Sequence, residues 1–232
     1  MELSKRLKKI AEHVDRCESV ADIGTDHGYI PIYLVKEGLC KRAIASDINK
    51  GPIEKAKVNV NFEGLSDKIK CLLGPGLKPL KVGEVNGVIL AGMGGNLTRD
   101  ILLDDMDKVK EYDFLILQPA QNPEVLREFL YNNNYEIIDE DLIKDEGRFY
   151  ELFKVIYFEN SKKYLSLDEL DYEISPILRE KKHPLFKEFV EEKIKRYETI
   201  LSFIKDDTES AKKRKAYLEE KIIKLKGMIK WS

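Results

Sequence analysis

The sequence predicts an α/β fold: a doubly wound, mainly parallel sheet with one antiparallel strand, followed by an antiparallel helical hairpin of coiled-coil-like pattern. Three observations predict it. Short apolar runs alternate with amphipathic stretches through the first two thirds of the chain. Three of the turns that follow those runs are rich in glycine, at 24–28, 74–76 and 92–95. Beyond Asn160 strand patterning stops and apolar residues recur only at three-four spacing.

Taken in order, Leu3, Leu7, Ile10 and Val14 share one face of an opening helix over residues 3–14, with basic residues on its other faces. A strand over 18–23 runs into Gly24-Thr25-Asp26-His27-Gly28, and a helix reaches Gly38. A second strand, 42–47, ends at Asp47. Asn49-Lys50-Gly51-Pro52 opens the next helix, with proline in its first turn. Residues 68–73 form a third strand closed by Gly74-Pro75-Gly76. The run 85–91 is nearly continuously apolar, as a strand covered on both faces should be. It is expected to break at Gly92, with Asn96 or Thr98 capping the helix that follows. A fifth strand, 112–117, stops at Gln118-Pro119, a helix covers 123–132, and two strands, 135–143 and 148–158, meet at the hairpin turn Asp145-Glu146-Gly147. A second domain is expected over 161–232, after a first over 1–160. Its two long helices carry Phe186, Phe189, Val190, Ile194, Tyr197, Leu201 and Ile204, then Leu218, Ile222, Leu225 and Ile229, and break at Asp206-Asp207-Thr208.

In such a sheet the ligand crevice lies at the carboxyl ends of the strands, where all three glycine-rich turns fall. Asp47 comes 23 residues after Gly24, near the ~20-residue spacing at which an acid on the second strand meets a ribose bound over the first turn. The turn lacks the Gly-x-Gly-x-x-Gly of a pyrophosphate site, and Asp22 and Asp26 would repel phosphate. A ribose-bearing ligand with a cationic centre and no phosphate fits better, which points to S-adenosylmethionine. Asp22, Gly24, Thr25, Gly28, Asp47, Ile48, Gly74, Pro75, Gly76, Ala91, Gly92 and Met93 are the candidate cofactor residues.

The net charge of −2 conceals an uneven distribution: 22 basic and 28 acidic side chains up to residue 160, but 18 against 14 beyond it. The basic end suits a polyanion, or is a solvated helix face. Cys17, Cys40 and Cys71 are widely separated and form no Cys-x-x-Cys pair, so neither a disulfide framework nor a zinc site is indicated, and the odd count fits a reducing cytoplasm. No apolar stretch approaches the ~20 residues of a membrane span, so no membrane partner is expected.

Ala21-Asp22-Ile23-Gly24-Thr25-Asp26-His27-Gly28-Tyr29-Ile30-Pro31, Gly51-Pro52 after Asp47, Ala91-Gly92-Met93-Gly94-Gly95, Leu115-Ile116-Leu117-Gln118-Pro119 and Gly147-Arg148-Phe149-Tyr150-Glu151 together resemble the bacterial TrmK family. The resemblance covers residues 1 to about 158, and a helical C-terminal extension is also a family feature. It implies a class I (Rossmann-like) methyltransferase that moves a methyl group from S-adenosylmethionine to N1 of adenosine 22 of tRNA. Where the family reads Gly-Asp-Gly, this chain has Gly74-Pro75-Gly76. That departure implies the loss of one polar contact to the cofactor's adenine, with backbone groups of residues 74–77 as its replacement.

N1 of adenine carries a free lone pair, so the reaction needs alignment and a charge facing the ring that becomes cationic, not a strong base. Asp26 is the first candidate for that charge and His27 its partner; the alternative is a turn acid beside a turn histidine. For the substrate, Gly94 and Gly95 leave room for a flat base, and Gln118 either reads a base edge or caps its strand. Lys5, Arg6, Lys8 and Lys9 at the start, and Lys212, Lys213, Arg214 and Lys215 near the end, are candidate phosphate contacts. Whether the hairpin meets RNA or a second protomer stays open, as does monomer against homodimer. Two other readings remain: a methyltransferase of a protein or small molecule, and a nucleotide-binding partner module without turnover.

Overall fold

The computed structural model describes residues 2–159 and 167–230. It divides into two compact units, Met1–Ser166 and Leu167–Ser232. The boundary expected after residue 160 lies outside the described residues.

The first unit is a seven-stranded sheet in the order β3-β2-β1-β4-β5-β7-β6. Its strands are β1 (Cys17–Ile23), β2 (Cys40–Asp47), β3 (Ile69–Leu73), β4 (Gly87–Gly94), β5 (Phe114–Gln121), β6 (Tyr135–Asp145) and β7 (Arg148–Tyr157). Strands β1 to β5 are parallel, and β7 runs antiparallel to both β5 and β6. Helices α1 (Lys5–Glu12), α2 (Tyr29–Lys36), α3 (Lys50–Phe62), α4 (Gly95–Asp104), α5 (Met106–Val109) and α6 (Pro123–Asn132) complete it. Val20, Val88, Ile89, Leu90, Ile116 and Leu117 are fully buried along the central strands, which is why 88–91 and 114–117 read as unbroken apolar runs.

The hairpin joining β6 to β7 turns at Glu146 and Gly147, both at positive φ (48° and 74°), as a two-residue turn matching strand twist requires. On the inner side of this hairpin, Arg127 of α6 is wholly buried. Its guanidinium bonds Glu140 at 2.6 Å and Glu151 at 2.5 Å, and lies over the Phe153 ring. The two carboxylates hold its charge firmly on against the desolvation that opposes it.

Three expectations are corrected. β4 continues through Gly92 to Gly94 with register shifts between Ala91, Met93 and Gly94, because Gly92 at φ +80° absorbs the bend. β5 likewise runs past Pro119, which pairs with Met93, to Gln121. Neither Asn96 nor Thr98 caps α4: Gly94 is the N-cap, and the Thr98 hydroxyl donates back to the Gly94 carbonyl at 3.1 Å.

In the second unit, α7 (Glu169–Glu173) and α8 (Pro176–Glu180) precede the long helices α9 (Phe186–Phe203) and α10 (Glu209–Ile229). The two short helices carry too few residues for a periodic signal in the sequence. Phe186, Phe189, Val190 and Ile194 of α9, and Leu218, Ile222 and Leu225 of α10, are buried. Thr208 caps α10 by accepting from the Ala211 amide at 3.2 Å. Lys221, also buried, is paired with Glu169 and Glu173 of α7, and its ammonium faces the rings of Tyr197 and Tyr217.

Candidate active site

The carboxyl ends of β1, β2, β3 and β4 open onto one cavity of about 420 Å³, within the range of small-molecule sites. Backbone bonds fix its rim. The amides of Gly24 and Thr25 both donate to the Ser46 carbonyl, at 2.7 and 2.9 Å, and the Gly74 amide donates to the Asp47 carbonyl at 2.9 Å. All three glycine-rich turns contribute: Gly24, then Gly74, Pro75 and Gly76, then Gly92 with Ala91 and Met93. Asp47 and Ile48 lie between them, and Leu97, Ile101 and Asp104 of α4 are among the residues of the far wall.

Gly24 sits at φ +78°, and a Cβ there would come within 2.5 Å of the Met93 methyl, so only glycine lets this backbone face the cavity. Asp47 accepts at Oδ1 from the Asn49 amide at 2.7 Å, which aims its carboxylate from the end of β2. Ile48 is 64% exposed at the cavity, an apolar residue available to a ligand ring. The lining holds four carboxylates (Asp47, Asp100, Asp104 and Asp105) against the single ammonium of Lys78, itself bonded to Asp105 at 3.1 Å. Such a lining attracts a cationic ligand and repels a polyphosphate.

Other expected cofactor residues serve the turn instead of lining the cavity. Asp22 is buried, and burial raises its carboxyl to about 6, with the nearby Asp47 adding to the rise and a hydrogen bond with Thr25 opposing it. The Thr25 hydroxyl accepts from the Gly28 amide at 3.2 Å, closing the turn. Gly28, at φ +71°, lies against Ala56, so its missing side chain lets α2 approach α3.

Asp26 projects from this turn, its side chain 70% exposed, with the His27 ring nitrogen Nε2 at 3.2 Å and the Lys55 ammonium at 4.0 Å. His27 stacks on Tyr29 with ring centres 4.9 Å apart, and Asn59 bonds the His27 carbonyl at 2.9 Å. The carboxylate is thus held by a fixed imidazole while its other side faces solvent.

Of the expected substrate residues, Gly94 has open space where a Cβ would be, whereas a Cβ at Gly95 would meet the Asn122 carbonyl at 2.2 Å. Gly95 is therefore required by packing against the start of α6, not by room for a base. Gln118 is fully buried. It accepts from Arg6 Nη1 at 2.7 Å and donates to the Pro119 carbonyl at 2.9 Å, so in this state it faces no base edge. Arg6 lies over the Tyr150 ring, with its backbone amide held by Asp145, and Lys9 is paired with Asp141 at 2.9 Å. In this state these two cations attach α1 to β6 and β7. Lys5 and Lys8 are exposed. On α10, Lys212 pairs with Asp207 at 3.2 Å and Lys213 with Glu209 at 3.9 Å, both largely solvated, and Arg214 is exposed beside the half-exposed Lys215.

Sequence reasoning missed Tyr150 as a site neighbour, Tyr29 as the stacking partner of His27, and the wall formed by Leu97, Ile101 and Asp104. For α4, the three-four spacing of Leu97 and Ile101 was the available signal.

The model of the TrmK family, tRNA (adenine(22)-N(1))-methyltransferase, matches residues 20–227. The tRNA (adenine(22)-N(1))-methyltransferase of Bacillus subtilis (strain 168) is 33% identical over 235 residues, covering 99% of this chain and 98% of its own. Among solved structures, the Streptococcus pneumoniae protein Sp1610, a putative tRNA (m1A22) methyltransferase, in complex with S-adenosyl-L-methionine is 30% identical. Its TM-score is 0.86, over 98% of this chain and 99% of that one. Mycoplasma capricolum TrmK with the product S-adenosyl-homocysteine is 28% identical, with a TM-score of 0.82 over 99% of this chain and all of that one. Among the described residues no group of His, Cys, Asp and Glu is arranged to hold a metal ion, and no helix is long and apolar enough to cross a membrane.

Proposed function

This chain belongs to the TrmK family of tRNA (adenine(22)-N(1))-methyltransferases, and from that membership we propose how its own residues carry out the reaction. The enzyme methylates N1 of adenosine 22 of tRNA with S-adenosylmethionine. What supports the residue assignment is the acid-lined cavity where the ends of β1, β2, β3 and β4 converge, with Asp47 in its lining and little cationic charge to hold phosphate.

When bound, S-adenosylmethionine supplies an electrophilic methyl group; the N1 lone pair takes it and the sulfur keeps the former bond pair. Asp47 holds the ribose hydroxyls, with Oδ1 already oriented by Asn49. The Gly24 backbone and the loop 74–76 border the remainder, and Ile48 and Ile101 offer apolar contact to the adenine. The acids of the lining favour the positive end of the ligand. Asp26, steadied by His27, faces the target ring and stabilises the charge that appears there as N1 is alkylated. No proton leaves N1 in this step, which agrees with an exposed carboxylate serving as the charge and not as a strong base.

N1 lies on the Watson-Crick edge, so adenosine 22 is presented unpaired or flipped, at a cost of a few kcal/mol that phosphate contacts offset. Lys5 and Lys8 on the first unit, and Lys212 to Lys215 on α10, are the exposed or half-exposed cations assigned to that work. We place the reaction in the cytoplasm, where tRNA is found, and the three free cysteines accord with a reducing compartment. The test is incubation with methyl-labelled S-adenosylmethionine and unmodified tRNA, followed by nucleoside mapping. Label in 1-methyladenosine at position 22 is expected; label in protein alone, or none, refutes the reading.

A further inference from the structure

Arg6 occupies an unusual place for a surface arginine. Its Nη1 lies 3.7 Å from where a Cβ on Gly92 would be, and Gly92 lines the cofactor cavity. The same nitrogen donates to Gln118 Oε1 at 2.7 Å, and the guanidinium carbon is 5.3 Å from the centre of the Tyr150 ring. Among the described residues no carboxylate forms an ion pair with this guanidinium; the Asp145 contact is to the Arg6 backbone amide. A planar cation therefore fills a slot whose partners are an amide oxygen and an aromatic face, at the rim of the methyl-donor cavity.

Those are also the partners a flat purine with an exocyclic amine would seek. We propose that Arg6, Gln118 and Tyr150 form the receiving slot for the target adenine, with Arg6 holding the place until the base arrives. The inference rests on the reading of adenine N1 as the methyl acceptor. The 6-amino group donates to Gln118 Oε1 in place of Arg6 Nη1, and the ring stacks on Tyr150. As the methyl bonds to N1, the positive charge spreads onto the 6-amino nitrogen, and its hydrogen bond to the Gln118 carbonyl strengthens in step. A guanidinium left beside that ring would oppose the same charge, so Arg6 gives up the slot. Its exchange partner is a phosphodiester of the incoming RNA, which it binds as a fork. The Asp145 bond to its backbone amide keeps α1 in place while the side chain moves. Gln118, engaged inward at Nε2 by the Pro119 carbonyl, presents its oxygen in both states.

The experiment has two arms, both on the full chain. In the first, S-adenosylhomocysteine saturates the cofactor cavity and free adenosine is titrated, read by NMR. Arg6→Met should bind adenosine at least threefold more tightly than the parent, and adding Tyr150→Ala should abolish that gain. In the second, methylation of unmodified tRNA is followed. Tyr150→Ala should lower kcat/KM by roughly tenfold or more, the scale of one lost base stack, with S-adenosylmethionine affinity unchanged. Tyr150→Phe should restore it to about the parent value, since stacking needs the ring and not the hydroxyl. Adenosine affinity in Arg6→Met equal to or below the parent's overturns the slot, as does Tyr150→Ala at the parent's rate. Failure of the wider reading looks different, because then the parent itself labels no tRNA while the adenosine arm still reports on the slot. If Tyr150→Ala does not fold, the single Arg6→Met titration decides.

Discussion

Asp47 has to serve two masters, its own chain and a ligand. Oδ1 is committed to the Asn49 amide, so the carboxylate arrives at the cavity already oriented, and the ribose contact proposed for it would be charge-assisted. Asp47→Ala should weaken S-adenosylmethionine binding by about 1.5–3 kcal/mol; calorimetry on the folded variant giving parental affinity would take Asp47 out of the ribose site. Asp26 is assigned to the transition state instead. Asp26→Asn should bind cofactor and tRNA like the parent but slow single-turnover methylation at least tenfold, and an undiminished rate at saturating substrates would reassign the charge. Asp22 behaves in the opposite manner, because burial has raised its carboxyl from 3.8 to about 6. A raised carboxyl favours the protonated fold, so its contribution is complete below about pH 4 and fades as pH rises through 6. Two units correspond to about 3 kcal/mol. In denaturant titrations Asp22→Asn should therefore gain stability over the parent between pH 4.5 and pH 8, and a constant difference would show that Asp22 does not titrate as its burial requires.

Among the elements, the hairpin of β6 and β7 shows how a motif can belong to the fold and not to chemistry. Glu151 closes the stretch Gly147-Arg148-Phe149-Tyr150-Glu151, yet its carboxylate turns inward to the buried Arg127. Arg127→Met would strand Glu140 and Glu151 without their cation, so urea denaturation should show a loss of about 3–5 kcal/mol; a loss under 1 kcal/mol would mean the triad is not held as described. The sequence signals divide along the same line. Strand β4 was legible because burial on both faces leaves a nearly unbroken apolar run, and β1 and β2 because shorter apolar runs end in a glycine turn and in Asp47. The role of Gly95 was not legible, since its need for a bare Cα comes from Asn122, 27 positions away in the chain and seen only in three dimensions. The partner of Gln118 was hidden for the same reason: Arg6 is 112 residues earlier. Caps are local, but the cap of α4 was misplaced because Gly94 needs no side chain to serve as one.

For the whole molecule, the groups that border the cavity all come from the first unit, so deleting residues 161–232 should leave S-adenosylmethionine binding intact. The effect should fall on tRNA. The segment removes 18 basic and 14 acidic side chains, and each lost phosphate contact reduces the slope of log affinity against log salt by somewhat under one. Weaker tRNA binding with a shallower salt dependence is expected; an unaltered slope, with light scattering showing dimer become monomer, would assign the segment to self-association. Within the first unit the strand order gives the cavity a further property. Gly24, Asp47 and Gly74 lie at the ends of β1, β2 and β3 on one side of the β1–β4 seam, whereas Ala91, Gly92 and Met93 of β4 and Ile101 of α4 lie on the other. During synthesis the first three strands can gather before β4 is complete, but the cavity stays unfinished until the chain through residue 105 has emerged and β4 has docked on β1. A bound methyl donor then bridges two halves made at different times. At one hundred times its dissociation constant it adds about 2.7 kcal/mol to the stability of the joined state, so the metabolite that the enzyme consumes also acts as a fastener for its own late-folding half.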